Sequence, residues 1–435
     1  MKKVITYGTF DLLHYGHIRL LERARALGDW LIVGVTSEDY DKARGKINVT
    51  QTLSERMEAV KSLGLADEII VEEYEGQKID DIKRYHVDVF AIGSDWKGKF
   101  DYLKDYCEVV YLERTEGISS SELRSRDRLT LGLFGSSANV DKIEREAGFV
   151  NGLLVGGKCT DEADYDEMLS RVDAVYLYAR PERHCALIEK ALLAGKHVLC
   201  ETPLAMKKAD CARLQALAEE QELVLMEALK TAFSTAYGRL LLLLKSGKIG
   251  EIVSVDAACT SMEALSGLGR EELRDKWNSI SDWGPTGMLP VFQLLGTGYR
   301  EKRIYSRMHP EDPSFDLFSR VDFIYDNAVA SVRVGKGVKS EGELIVSGTK
   351  GYAYVPAPWW KTDFFEIRFE NPNENQRYFY QLEGEGIRNM LAAFFQAAVH
   401  GIRYQTIDGA VTEAISGVIG DFYEGKDLKV LGRPM

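Results

Sequence analysis

Apolar runs of strand length alternate with helical spacings from the start of the chain. VITYG (4–8) precedes a helical pattern over 16–27, and WLIVGVT (30–36) precedes the helical SERMEAVKSLG (54–64). EIIV (68–71), a helix near 77–85, VDVFAIG (87–93) and EVVYL (108–112) continue the series. Such short apolar runs suit strands buried on both faces, and strands separated by helices pair in parallel. Five of them predict a doubly wound α/β sheet over residues 1–127, with ligands at the carboxyl ends of its strands. SSSELRSRDR (119–128) predicts a polar exit helix.

A second series follows: LTLGLFG (129–135), NGLLVGG, AVYLYA (174–179), a helix over 182–194, HVLC (197–200), a helix over 207–221 and LVLME (223–227). It predicts a second Rossmann-like α/β unit over 128–230. From 250 the strands lengthen, as in EIVSVDAACTSM, FSRVDFIYDNAVASVRVG and EGELIVSGTKGYAYV, with a last helix expected near 386–400. That rhythm predicts an α+β unit over 231–435 built on an open, largely antiparallel sheet. LLLLL (240–244) is expected to be a buried helix, and no internal repeat interrupts the chain.

Length and composition agree with this division. The chain has 435 residues, 45% apolar and 28% charged, which suits a globular protein of about three domains. A net charge of -12 excludes a general nucleic-acid or bilayer surface but leaves room for a local basic pocket around a small anion. Six cysteines at 107, 159, 185, 200, 211 and 259 show no CxxC pair and no histidine at metal-ligand spacing. They are expected to be reduced thiols in a cytoplasmic protein with no metal held by its own side chains. The apolar run of MKKVITYGTF is too short for a signal segment, and no run of about 20 apolar residues suggests membrane insertion.

Chemistry concentrates at the strand ends of the first series. In GTFDLLHYGH (8–17), Gly8 ends a strand where the backbone is expected to approach something closely, and Thr9 and Phe10 present backbone amides. Gly16 lets the following helix start tightly, and such a start offers free N–H groups and positive potential to a phosphate. His14 and His17 can donate hydrogen bonds to phosphate oxygens and stabilise a leaving pyrophosphate. RTEGISSSELR (114–124) follows the fifth strand with an arginine suited to phosphate, Arg114, and hydroxyls at Ser119 and Ser120. GSDW (93–96) follows the fourth strand, and KARGK (42–46) forms a basic loop after the second. Each piece is weak alone; their shared position at successive strand ends is what carries the reading.

MKKVITYGTFDLLHYGHIRLLERA and VDVFAIGSDWKGKFDYLKDYCEVVYLERTEGISSSELR, at this spacing, resemble the glycerol-3-phosphate cytidylyltransferase family of the HxGH nucleotidyltransferase superfamily over residues 1–127. The resemblance implies attack by a substrate phosphate on the α-phosphorus of CTP, with Mg2+ accompanying the triphosphate. It assigns catalytic roles to His14, His17, Lys46 and Arg114. Thr9, Phe10, Gly16, Gly93, Asp95, Thr115, Ile118, Ser119 and Ser120 are implied to bind the nucleotide, and Asp11 and Arg56 to lie near the acceptor. One departure is Gly64, in LGLADEII, where the family carries an arginine. It leaves the acceptor open among phosphorylated polyols.

VDAVYLYARPERHCALIEKALLAGKHVLCETPLA (172–205), MEALKTAF (226–233) and EGELIVSGTKGYAYVPAPWW (341–360) resemble the Gfo/Idh/MocA oxidoreductases over residues 129–435. The resemblance implies NAD(P), but several parts that hydride transfer needs are missing. GLFGSSAN has Gly132 and Gly135 without the later glycine of a dinucleotide fingerprint. NGLLVGGKCTDEADYDEM runs from the second strand almost directly into the next element. Thr202 replaces the lysine of the family's E-K-P motif, and DWGPTGMLPVFQLL has no histidine. Lys230 and Tyr237 are the candidate replacement proton donors.

Two alternatives stand for this part: an oxidoreductase supplying the polyol phosphate, or a scaffold or nucleotide-sensing module that pairs subunits. For the first part the alternative is an ATP-using adenylyltransferase. The implied partners are CTP, a phosphorylated polyol and further copies of the chain, and the implied product is a CDP-polyol for cell-wall or capsular polymers.

Overall fold

The computed structural model describes residues 1–13, 15–43, 46, 49, 51–113, 128–136, 138–274, 276–380, 382–401 and 407–432. The expected exit helix therefore lies, except for Arg128, outside the described residues. Two compact units divide the chain, residues 1–128 with 150–152 and residues 129–149 with 153–435.

In the first unit β1 (Lys3–Gly8), α1 (Tyr15–Arg25), β2 (Trp30–Thr36), α2 (Glu38–Ala43) and α3 (Leu53–Ser62) lead to β3 (Glu68–Glu72). α4 (Gln77–Tyr85), β4 (Val89–Gly93) and β5 (Glu108–Leu112) follow. The strands form one parallel sheet in the order β3-β2-β1-β4-β5. Alternate residues of β1 feed opposite layers. Val4 packs in a core with Leu21, Ala24 and Val60 from α1 and α3, and Ile5 in another with Ile32, Ile82 and Phe90. This period-2 division makes a sheet without alternating polarity require helices on both faces. α3 starts in a capping box: the Thr52 hydroxyl accepts from the Glu55 amide (3.3 Å) and Glu55 accepts from the Thr52 amide (2.7 Å).

The second unit contains two sheets. β6 (Leu129–Phe134), α5 (Ala138–Ala147), β7 (Leu153–Cys159), α6 (Tyr165–Leu169) and β8 (Ala174–Leu177) come first. α7 (Pro181–Leu193), β9 (His197–Cys200), α8 (Lys208–Glu220) and β10 (Leu225–Glu227) complete a parallel sheet ordered β10-β9-β8-β6-β7. The link from β7 to β8 holds only the five-residue α6. Among the described residues no strand lies outside β7, so the sheet has five of the six strands of the full Rossmann order and lacks the one beyond β7.

α9 (Thr235–Lys245), β11 (Ile252–Thr260), α10 (Arg270–Leu273) and α11 (Ser279–Leu295) lead into the third sheet. Its other strands are β12 (Glu301–His309), β13 (Asp312–Ile324), β14 (Val329–Gly335), β15 (Leu344–Gly348), β16 (Gly351–Val355), β17 (Phe364–Phe369) and β18 (Gln376–Phe379). α12 (Ile387–His400), α13 (Gly409–Tyr423) and β19 (Leu428–Val430) close the chain's described part. The order β18-β17-β16-β15-β11-β14-β13-β12-β19 is antiparallel except where β11 meets β14 and β12 meets β19. α11 lies close against this sheet, since a Cβ on Gly287 would stand 2.6 Å from Val332 Cγ1.

Two sequence expectations need correction. α12 is not the last helix, because α13 follows with Asp408 capping its start through the Ala410 amide (3.1 Å). The LLLLL run of α9 is amphipathic rather than buried throughout: Leu240 and Leu244 are buried while Leu242 is 49% exposed. The 3.6-residue turn sends consecutive leucines to different faces.

Candidate active site

The turn after β1 is shaped by its own aromatic ring. Phe10 is buried and sits at φ 52, with Leu12 at φ 48, a left-handed pair of non-glycine residues that costs about 1–2 kcal/mol each. A Cβ on Gly8 would lie 3.0 Å from the Phe10 ring. The close approach expected at Gly8 is therefore made by Phe10 folding back over the strand end, and the ring then meets His17 edge-on at 5.5 Å. His17 stands in the first turn of α1, which carries no acidic residue there to oppose an anion. Gly16 is the second residue of that helix.

Thr9 joins three predicted pieces. Its hydroxyl donates to Asp41 Oδ1 (2.9 Å) and accepts from Lys46 Nζ (2.9 Å), so the lysine after β2 reaches the end of β1. The first two residues of KARGK, Lys42 and Ala43, are the end of α2 rather than loop. Asp11, itself buried, accepts from the Gln51 amide (2.9 Å), and Gln51 Oε1 accepts from the Leu12 amide (2.7 Å).

Arg56, expected near the acceptor, is held from below by backbone carbonyls. It is wholly buried, and its Nη1 donates to the Thr9 carbonyl (2.7 Å) and the Thr36 carbonyl (2.8 Å) while Nε donates to the Gln51 carbonyl (3.1 Å). With Asp41 Oδ2 3.8 Å away, it ties the ends of β1 and β2 together instead of presenting its guanidinium at the surface. Gly64 lies at φ 65 just after α3, where a left-handed residue ends the helix, so its departure from the family arginine has a local structural use.

Gly93 ends β4 and Asp95 lies exposed in the single turn Ser94–Trp96, on the same sheet edge as Thr9. His14, Arg114, Thr115, Ile118, Ser119 and Ser120 lie outside the described residues.

One cluster at this edge gave no sequence signal. Lys78, in the first turn of α4, is buried in an ion pair with Glu72, its Nζ 4.7 Å from the centre of the Tyr7 ring. Glu72 also accepts from Thr36 Oγ1 (2.9 Å), and Tyr7 donates to Asp81 (2.8 Å). Burial, and then the Asp81 carboxylate, push the Tyr7 hydroxyl far above its ordinary pKa, so it stays a donor. A single lysine in GQKIDD reads as solvated until the fold closes over it.

The strand ends thus combine a helix start, a lysine, a histidine and fixed backbone. Such an arrangement is suited to neutralising and aligning phosphates, a task that needs no covalent nucleophile from the protein when the attacking group is itself a phosphate.

The second parallel sheet has its own strand-end cleft of about 290 Å³, lined by Tyr176, Glu201, Thr202, Lys230, Thr286 and Trp360 among others. Glu201 accepts from the Tyr176 hydroxyl at 2.5 Å, and burial raises its carboxyl pKa. Of the two candidate proton donors Lys230 lies in this cleft, and Tyr237 does not: it is buried elsewhere and donates to Gln293 (2.8 Å). Gly135, at φ 113, lies so near Tyr178 that a Cβ would be 2.1 Å from its carbonyl, which preserves the tight turn of a dinucleotide frame. Among the described residues the sheet ends at β7, and Thr202 and Thr286 bring hydroxyls to the cleft. The parallel sheet and the Gly135 turn fit the frame of an NAD(P) site.

Comparison with known proteins gives each unit a relative. Residues 5–126 match the family described as "Cytidylyltransferase-like", and residues 144–229 the "Oxidoreductase family, NAD-binding Rossmann fold". Glycerol-3-phosphate cytidylyltransferase of Bacillus spizizenii is 51% identical over 124 residues, which is 28% of this chain and 95% of that protein. The Staphylococcus aureus enzyme of the same name is 49% identical over 124 residues, covering 28% and 93%. Among solved structures, KijD10, a 3-ketoreductase from Actinomadura kijaniata in complex with NADP and TDP-benzene, superposes with a TM-score of 0.61 at 19% identity, over 70% of this chain and 100% of that one. At that identity the likeness is one of fold. The strand-end site of the first unit and these relatives together place the chain in the glycerol-3-phosphate cytidylyltransferase family of nucleotidyltransferases, with a Gfo/Idh/MocA oxidoreductase domain as its second part.

Proposed function

We propose that residues 1–127 transfer CMP from CTP to a phosphorylated polyol, glycerol 3-phosphate or a related one, releasing pyrophosphate and leaving a CDP-polyol. The observation that supports this most is the Lys46–Thr9–Asp41 chain of hydrogen bonds at the end of β1, followed in the chain by Phe10, whose ring meets His17. His14, His17, Lys46 and Arg114 neutralise the triphosphate, and Thr9, Phe10, Gly16, Gly93, Asp95, Thr115, Ile118, Ser119 and Ser120 hold the nucleotide. Asp11 faces the acceptor side, with Arg56 fixing the turn beneath it. Mg2+ travels with CTP. In this reading residues 128–230 and 231–435 form a Rossmann-like and an α+β domain that serve the same pathway step. They hold a ligand and pair copies of the chain in the cytoplasm rather than transfer hydride. The incomplete second sheet favours that choice. The product would feed wall or capsule polymers.

The test is pyrophosphate release by the full chain with CTP or ATP, across glycerol 3-phosphate, ribitol 5-phosphate, erythritol 4-phosphate and phosphocholine. Release with CTP and one polyol phosphate is expected. Release with ATP alone, or with phosphocholine alone, overturns the proposal.

A further inference from the structure

The cleft of the second unit contains a charge cluster that hydride transfer does not call for. Lys361, Lys230 and Lys142 all reach the carboxylate of Glu385, at 2.8, 3.1 and 3.3 Å. Burial alone would raise that carboxyl's pKa, but the hydrogen bonds and charges of Lys361 and Lys230 override it and hold it down at about 2. Three ammonium groups therefore share one carboxylate. Two other acids line the cleft: Asp282 is paired with Lys336 at 2.7 Å, and Glu201 accepts from Tyr176, with burial raising its carboxyl pKa. Lys142, Lys230 and Lys361 thus meet Glu385 and Glu201 in the cleft, and Glu385 is the carboxylate that all three touch.

The backbone is strained to deliver Glu385 to this place. Gly384, Glu385 and Gly386 lie at φ 60, 54 and 84, three successive left-handed residues. Neither glycine tolerates a side chain: a Cβ on Gly384 would stand 2.3 Å from Glu146 Oε2, and one on Gly386 2.8 Å from the Lys230 carbonyl. A glutamate between them, in a left-handed conformation that residues with side chains rarely adopt, is the kind of strain that marks ligand sites. Trp283 and Trp360, with ring centres 4.7 Å apart, wall the same cleft, and Thr202 and Thr286 present hydroxyls to it.

We propose that this cleft binds a phosphomonoester of a small polyol, its phosphate displacing Glu385 from Lys142, Lys230 and Lys361 and its hydroxylated chain lying toward Thr202 and Thr286. Compact, strongly hydrated ammonium groups suit a phosphate dianion as point charges, and Glu385 occupies their place until the ligand arrives. The identity of the polyol rests on the proposed function above; the anion site does not.

Glycerol 3-phosphate, ribitol 5-phosphate, glycerol, inorganic phosphate and NADPH are titrated into the full chain, followed by heat and by tryptophan fluorescence. A saturable component is expected with the polyol phosphates, weaker with inorganic phosphate and absent with glycerol. Lys230→Gln and Lys361→Gln each weaken that component about tenfold or more, and Glu385→Gln tightens it several-fold, a gain that misfolding cannot produce. The fluorescence change disappears in Trp360→Phe while the heat remains. The proposal is overturned if the lysine variants, folded by circular dichroism, bind as the parent does, if Glu385→Gln weakens binding, or if only NADPH depends on the lysines. Lysine-dependent binding without CMP transfer would remove the proposed function and keep this site. CMP transfer without lysine-dependent binding would do the reverse.

Discussion

The chain builds a parallel sheet twice, and the two copies differ where a nucleotide would lie. In the first, β1 stands between β2 and β4 with β3 outside, and the ends of β1 and β2 are tied by Arg56 and bridged by Thr9, Asp41 and Lys46. In the second, β6 has only β7 on its far side, because five helical residues replace a full crossover. The scaffold glycine Gly135 persists there, while Thr202 and Thr286 stand in the cleft. Packing depends on many residues at once and reactivity on a few, so a frame can persist while the groups at its edge change. The same sheet edge can then be used for another ligand.

That contrast is most exposed to a change at His17. His17→Ala is expected to slow pyrophosphate release about 10²–10³-fold, the usual loss for one group that stabilises developing charge. A parallel loss in Thr202→Ala would erase the distinction between the two edges.

Next in size is Arg56→Ala. It leaves the carbonyls of Thr9 and Thr36 without their donor and Asp41 without its buried countercharge, and is expected to cost about 3 kcal/mol in denaturant unfolding of the first unit. Arg56→Lys should recover little, since one ammonium does not reproduce the fork.

A smaller, pH-dependent effect separates the second sheet's buried acids from catalytic ones. Glu227, at the end of β10, accepts from the Leu204 amide (3.1 Å). Burial pushes its carboxyl up to about 7 from an ordinary 4.5, against the hydrogen bonds of Thr412 and Leu204. The folded value is raised, so its contribution to stability is fully present below about 4.5 and lost as pH rises through 7. Glu227→Gln should therefore stabilise the chain by roughly 2 kcal/mol at pH 8 and change little at pH 4, read from thermal or denaturant unfolding at both pH values.

The smallest expected signal is with NADPH, for which the short sheet predicts only weak, unsaturated binding at millimolar concentration, as measured by nicotinamide fluorescence. Tight binding would close the gap between the two sheets and restore the oxidoreductase reading of the second.

Much of this was readable from sequence where the signal is local. The strands WLIVGVT and EVVYL and the helix over 77–85 have the limits that their apolar periods imply. GTFDLLHYGH groups within ten positions residue types that suit a phosphate, which is the reading proposed for it. LLLLL misled because composition says nothing of the direction in which a helix turns its faces, and α13 was missed because its glycines and threonine dilute the period.

The order of hydrophobic and polar residues determined the two α/β series, the strand-rich third part and the family motif, because hydrogen bonding and burial within an element depend on neighbours a few positions away. Only the tertiary structure decided that Phe10 closes over Gly8, that Arg56 is an internal tie, that Lys78 is buried, and that Lys142, Lys230 and Lys361 meet on Glu385. Those contacts join residues far apart along the chain, and their energies come from desolvation and charge that no local pattern of residues encodes.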